Sequence, residues 1–162
     1  MSFEKKKQLL NDWLNIFKEN FKIEFAAQGQ KVNKDLILER IRSHCTKFNG
    51  SREYIYLLCV STSQERIPVY IGKSVNPTSR WRGHISKLLE GKGSYSHWKN
   101  LLIREDDIAT QSLILLIIPE NEIVTPPIPN FPTTVGSVEY QLVSLVSDAY
   151  PETLLNKEGN RR

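Results

Sequence analysis

Tyr54-Ile55-Tyr56-Leu57-Leu58-Cys59-Val60 and Ile67-Pro68-Val69-Tyr70-Ile71-Gly72 are two runs of β-forming residues joined by the polar stretch Ser61-Thr62-Ser63-Gln64-Glu65-Arg66. Aromatic and branched side chains in runs of this length, bounded by polar residues, predict a hairpin of two strands. Pro68 cannot donate a ladder hydrogen bond, so it suits a strand start or a sheet edge. Downstream, Asn76-Pro77 predicts a helix start, with proline in the first turn, where its missing N–H costs nothing. Trp81, Ile85, Leu88 and Leu89 recur at helical spacing, and Gly91-Lys92-Gly93 ends the pattern. A further helix is predicted over 94–103, and Leu113-Ile114-Leu115-Leu116-Ile117 reads as a strand buried on both faces. The segment 119–134 holds five prolines and no periodicity, so it reads as a long loop of the kind that often carries function. Gly136-Ser137 opens a last helix, with Val138, Leu142, Leu145 and Ala149 on one face, and Tyr150-Pro151 stops it.

Upstream of the hairpin, residues 3–19 predict an amphipathic helix carrying Leu9, Leu10, Trp13, Leu14, Ile16 and Phe17. Ala26-Ala27-Gln28-Gly29-Gln30 breaks it, and Asn33 is a candidate N-cap for a second helix through Leu36, Ile37 and Ile41. Phe48-Asn49-Gly50-Ser51 is a turn signal and the expected boundary. The fold expected is therefore α/β (α+β). Residues 51–162 would form a domain with a small, mainly antiparallel three-stranded sheet flanked by helices. Residues 1–50 would form a helical N-terminal extension.

The 162 residues, 40% hydrophobic and 25% charged, have the composition of a globular chain able to bury a core. No apolar run reaches the length of a membrane span, so no membrane partner is expected. Met1-Ser2-Phe3-Glu4-Lys5 lacks the pattern of a secretory signal, and Cys45 and Cys59 have no paired spacing. The expected setting is cytoplasmic, in a reducing compartment. The net charge of +4 is small, but its distribution is uneven. Between Lys73 and Arg104 stand seven basic residues and one acid, whereas from Glu105 onward there are nine acids and three bases. A basic block beside an acidic one suits a surface that holds a polyanion next to a carboxylate. Lys73, Arg82, Lys87 and Lys99 of that block are candidate substrate-binding side chains.

Four features then occur in an order suited to phosphodiester cleavage. Two strands each present tyrosine, in Tyr54-Ile55-Tyr56 and Tyr70-Ile71-Gly72; Arg80 and His84 lie one helical turn apart; Glu139 falls in the first turn of the last helix; Asn156 stands near the C-terminus. Taken singly, each has an ordinary structural reading as a β-former, a surface cation, a first-turn carboxylate or a turn residue. Their conjunction resembles the GIY-YIG nuclease family over residues 53–158. Tyr70-Ile71-Gly72 matches the second half-motif, and Arg80-Trp81-x-x-His84 looks like the family's arginine helix. The first half-motif departs from the pattern, with Tyr54 where the family name has glycine.

The resemblance implies a GIY-YIG-like domain that hydrolyses DNA to 5′-phosphate and 3′-hydroxyl ends with Mg²⁺, for which Mn²⁺ can substitute. It implies catalytic roles for Tyr56, Tyr70, Arg80, His84 and Glu139, with Glu139 as the metal ligand and Asn156 holding the phosphate or the metal shell. A hard cation takes oxygen ligands and keeps several waters, so one carboxylate can suffice. Arginine can fork onto a non-bridging phosphate oxygen. For the proton of the attacking water there are two candidates. Tyr56 is favoured by resemblance but needs a cationic neighbour, Lys73 or Arg80, to lower its pKa; His84 has an intrinsic pKa suited to the task. The cutting mode stays open between a restriction-type enzyme, for which a homodimer would serve two strands, and a structure-selective repair, mobile-element or degradative nuclease. A nuclease-derived module that binds nucleic acid without cutting is the alternative class.

Overall fold

The computed structural model describes residues 2–48 and 52–155. Helix α1 (Phe3–Phe17) starts where the Ser2 side chain accepts a hydrogen bond from the Lys5 amide, and it buries Leu10, Trp13, Leu14 and Phe17. Strand β1 (Lys22–Ala26) follows, then α2 (Lys34–Thr46), capped by Asn33 as expected, with Oδ1 3.1 Å from the Leu36 amide. The hairpin is β2 (Tyr54–Ser61) and β3 (Arg66–Ser74). Helix α3 (Pro77–Glu90) has Asn76 as its N-cap and the left-handed Gly91 as its C-cap. Helix α4 (Tyr95–Leu102), strand β4 (Leu113–Pro119), a short 3₁₀ turn (Glu120–Glu122) and helix α5 (Val135–Ala149) complete the elements of the described residues. Among the described residues, no helix is long and apolar enough to cross a membrane.

The sheet corrects the expectation of three strands. Among the described residues it has four, all antiparallel, in the order β1-β4-β2-β3. The fourth is β1, so the first fifty residues are not simply helical. They form helix, strand and helix, and Lys22, Ile23 and Glu24 pair with Leu116, Leu115 and Ile114 of β4. A strand of five residues carries too little alternation to announce itself. Its conformation is supplied by its partner rather than by its own pattern. The turn expected at the boundary lies largely outside the described residues, since Asn49, Gly50 and Ser51 are not among them.

Strand β2 has a neighbour on each side and is buried along nearly its whole length. Its side chains divide by parity, as a pleated strand requires. Ile55, Leu57 and Cys59 join an apolar cluster with Leu10, Trp13 and Leu14 of α1 and Val138, Leu142 and Val146 of α5. Tyr54, Tyr56, Leu58 and Val60 enter the opposite cluster, with residues of α2, α3 and α4. Along β3 the parity is interrupted. Cys59 pairs with Pro68 but Leu58 pairs with Tyr70, leaving Val69 as an extra residue, a β-bulge. Unbroken alternation from Ile67 would turn Tyr70 toward α1 and α5. The bulge brings it onto the same face as Tyr56, with their rings stacked at 6.1 Å. Pro68 is tolerated beside the bulge because β3 is an edge strand.

Candidate active site

Tyr56 and Gly72 face each other across the hairpin. The phenol ring lies over the glycine so closely that a Cβ there would stand 2.5 Å from the Tyr56 ring carbon Cζ. Glycine at this position is therefore a seat for the ring rather than a turn. From this seat the Tyr56 hydroxyl meets Nε2 of His84 on α3 at 3.1 Å. The other imidazole nitrogen, Nδ1, meets the hydroxyl of Tyr95 on α4 at 2.9 Å. Arg80, one turn before His84, also reaches the Tyr56 hydroxyl, which in turn hydrogen-bonds Tyr70. Trp81 and Trp98 wall the group, with Trp98 4.2 Å from the Tyr70 ring and Trp81 5.0 Å from the His84 ring, centre to centre.

Glu139 comes from α5, on the opposite side of the sheet, and its carboxylate is near enough to both phenols to disfavour their ionisation. The helix that presents it is anchored firmly. The fully buried Gln141 donates to Pro132 O at 2.8 Å and accepts from the Ile128 amide at 3.0 Å, tying the proline-rich loop to α5. Glu120 receives the Val135 amide at 2.8 Å at the N-terminus of the same helix. Helices α3 and α5 both contact the edge strand β3, so side chains from both faces of the sheet converge there.

The cluster is enclosed. Tyr56 has no exposed area, and Tyr70, His84 and Glu139 retain only 9%, 7% and 7%. Burial, then Tyr70, push the Tyr56 phenol well above its ordinary range, and the Arg80 charge only partly opposes them. Burial and the neighbouring Tyr95 push Tyr70 up to about 12. His84 goes the other way, down to about 4, because burial and then the Arg80 and Lys87 charges disfavour imidazolium. At neutral pH the centre therefore holds two neutral phenols and a neutral imidazole beside one guanidinium. The imidazole then has one N–H and one lone pair, shared between two tyrosine hydroxyls. An open cleft of about 360 Å³ gives access from the α3 side; Ser74, Asn76, Arg80, His84, Lys87 and Tyr95 are among its walls.

The structure thus brings Tyr56, Tyr70, Arg80, His84 and Glu139 together, and it treats the outer residues unequally. Lys73 flanks the α5 end of the site, its Nζ 3.6 Å from where a Cβ on Gly136 would stand. Lys87 borders the cleft with its ammonium 5.9 Å from the Tyr95 ring centre. Arg82 is exposed on a different face of α3 from Arg80 and His84. Lys99 is engaged away from the cleft, donating to Leu89 O at 2.8 Å and pairing with Asp107 at 3.6 Å. Asn156 lies outside the described residues. Tyr95 is the member that sequence reading passed over. The only available signal was its spacing of three from Trp98 at the start of a helix, which equally describes core packing.

Among the described residues, no three or more His, Cys, Asp or Glu side chains gather as a closed metal cage. Compared with models of known protein families, with curated proteins and with solved structures, the chain matches none.

Proposed function

We propose that this protein is a divalent-metal-dependent endonuclease of the GIY-YIG type, hydrolysing DNA to 5′-phosphate and 3′-hydroxyl ends. The observation that carries this reading is the convergence of Tyr56, Tyr70, Arg80, His84 and Glu139, three consecutive elements and the distant α5 supplying them to one part of the sheet. A structural role alone gives no reason to gather two phenols, a guanidinium, an imidazole and a carboxylate at so high a desolvation cost.

Arg80 and Lys87 border the cleft and would receive the phosphate, Arg80 through a forked contact to non-bridging oxygens. In doing so Arg80 turns from the Tyr56 hydroxyl to the substrate and uncovers the phenol. Tyr56 takes the proton of the attacking water while passing its own to Nε2 of His84, which is neutral at this pH and lies 3.1 Å from the phenol oxygen. The two candidate bases thereby share one role, because a phenol held this far above its usual range cannot wait as phenolate. Glu139 would hold Mg²⁺ or Mn²⁺, which supplies charge neutralisation at the phosphate and the leaving 3′-oxygen.

The complete burial of Tyr56 favours one other reading, a module that binds nucleic acid through the cleft without cutting it. A plasmid-nicking assay separates the two. Supercoiled DNA should be relaxed in Mg²⁺ and spared in EDTA, with 5′-phosphate and 3′-hydroxyl ends on sequencing of the products. DNA bound but never cut, on duplex, branched and single-stranded substrates alike, would establish the binding module instead.

A further inference from the structure

We propose that Tyr95 is the outer member of a hydrogen-bonded relay, Tyr56–His84–Tyr95, fixing the Nδ1–H tautomer of His84 and conducting the displaced proton to the cleft. Its catalytic meaning rests on the nuclease reading above; the arrangement of protons does not.

Both imidazole nitrogens face phenol oxygens, Nε2 at 3.1 Å from Tyr56 and Nδ1 at 2.9 Å from Tyr95. A neutral imidazole can accept at only one of them. Arginine donates and never accepts, so the Arg80 contact occupies a lone pair of the Tyr56 oxygen. In this arrangement Tyr70 donates to the second lone pair of the Tyr56 oxygen, the Tyr56 proton goes to Nε2, and Nδ1–H donates to Tyr95. Tyr95 is half-buried, borders the cleft, and packs its ring 5.0 Å from Trp98, which holds the hydroxyl in place. The chain therefore runs from the most enclosed group of the site to one that meets solvent.

The transfer balances without any further reactant. Water gives a proton to the Tyr56 oxygen as it bonds to phosphorus and the P–O3′ bond breaks, the departing 3′-oxygen taking a proton from solvent, and the Tyr56 proton moves to Nε2. The Nδ1 proton moves to the Tyr95 oxygen, and the Tyr95 proton leaves to water in the cleft. Each side chain ends neutral. His84 ends as the opposite tautomer and returns by exchange along the same path. Tyr95 is thus a positioning residue, acting on the reaction through His84.

The test is long-range ¹⁵N–¹H NMR of the His84 ring at neutral pH, in wild type and Tyr95→Phe, together with single-turnover cleavage. Phenylalanine keeps the packing on Trp98, and unchanged thermal stability verifies that the variant folds. The expected result is Nδ1–H in wild type, a shift toward Nε2–H in the variant, and a roughly tenfold fall in kcat with KM unchanged. An Nε2–H wild type, or a variant with unaltered tautomer and unaltered kcat, overturns the relay. If the wild type cuts no substrate, the nuclease reading falls, and the tautomer in the two proteins judges the hydrogen-bonded chain by itself.

Discussion

The two faces of the sheet are built from the same strands but hold different chemistry. Toward α1 and α5, the odd positions Ile55, Leu57, Cys59 and Ile71 belong to an apolar cluster. Toward α2, α3 and α4, the even positions of β2 carry Tyr54 and Tyr56, and the bulge adds Tyr70. On the first face burial acts on a lone thiol, pushing Cys59 up to about 12, whereas the second gathers two phenols and an imidazole that burial shifts while they touch one another. The apolar face contributes stability in proportion to area removed from water. The polar face returns part of that stability to keep a phenol and an imidazole neutral and dry. Glu139 is the exception that links them, carried by a helix of the apolar face to the edge where the polar groups gather.

This contrast can be broken most severely at Tyr56. Tyr56→Phe removes one oxygen and is expected to lower single-turnover cleavage by about 10²–10⁴-fold, whereas Ser61→Ala at the end of the same strand leaves the rate unchanged. A Tyr56→Phe enzyme that cuts normally would transfer the base role to His84 alone. Ile55→Ala, one residue away on the apolar face, should do the opposite. Denaturant unfolding is expected to show a loss of about 2–5 kcal/mol, with the cleavage rate per folded molecule preserved.

Acid should expose the electrostatic load of the polar face. The folded-state pKa of His84, about 4, lies below its ordinary 6.5. The fold favours the neutral ring, so this contribution is complete above pH 6.5 and is lost as the pH falls toward 4. Its size is on the order of 3 kcal/mol. His84→Gln should flatten the stability profile across that window, leaving the smaller slope of His44, which burial also lowers. An unchanged slope in His84→Gln would show that the imidazole is not held neutral by the fold. The smallest effect on stability is expected at Gly72→Ala, where the added methyl must displace the Tyr56 ring. Overpacking of this kind costs about 1–3 kcal/mol, and here activity should fall further than stability suggests, because the displaced ring carries the hydroxyl.

Much of the fold was legible because its elements carry strong local signals. Asn33 and Asn76 cap helices through side chains that sequence alone identifies, and the β2–β3 hairpin is written in its aromatic and branched residues. Strand β1 was not legible, since Ile23 and Phe25 alternate over too few positions to outweigh the surrounding helical patterns. For the site, residue types and order pointed to Tyr56, Tyr70, Arg80, His84 and Glu139, and the coordinates bring these five together. What sequence could not supply was geometric. The bulge at Val69, the seat at Gly72 and the partnership of His84 with Tyr95 depend on register and packing across elements. The same limit explains Lys99, which lies in the basic block but is drawn to Leu89 O and Asp107.

The central claim is that the converging side chains form a cutting centre and not merely a binding surface. Glu139→Ala tests it most directly, with DNA binding and Mg²⁺-dependent cleavage measured on the same preparation. Binding should persist, because Arg80 and Lys87 remain at the cleft, while cleavage disappears. Cleavage at the wild-type rate in that variant would remove Glu139 from the chemistry and contradict the account.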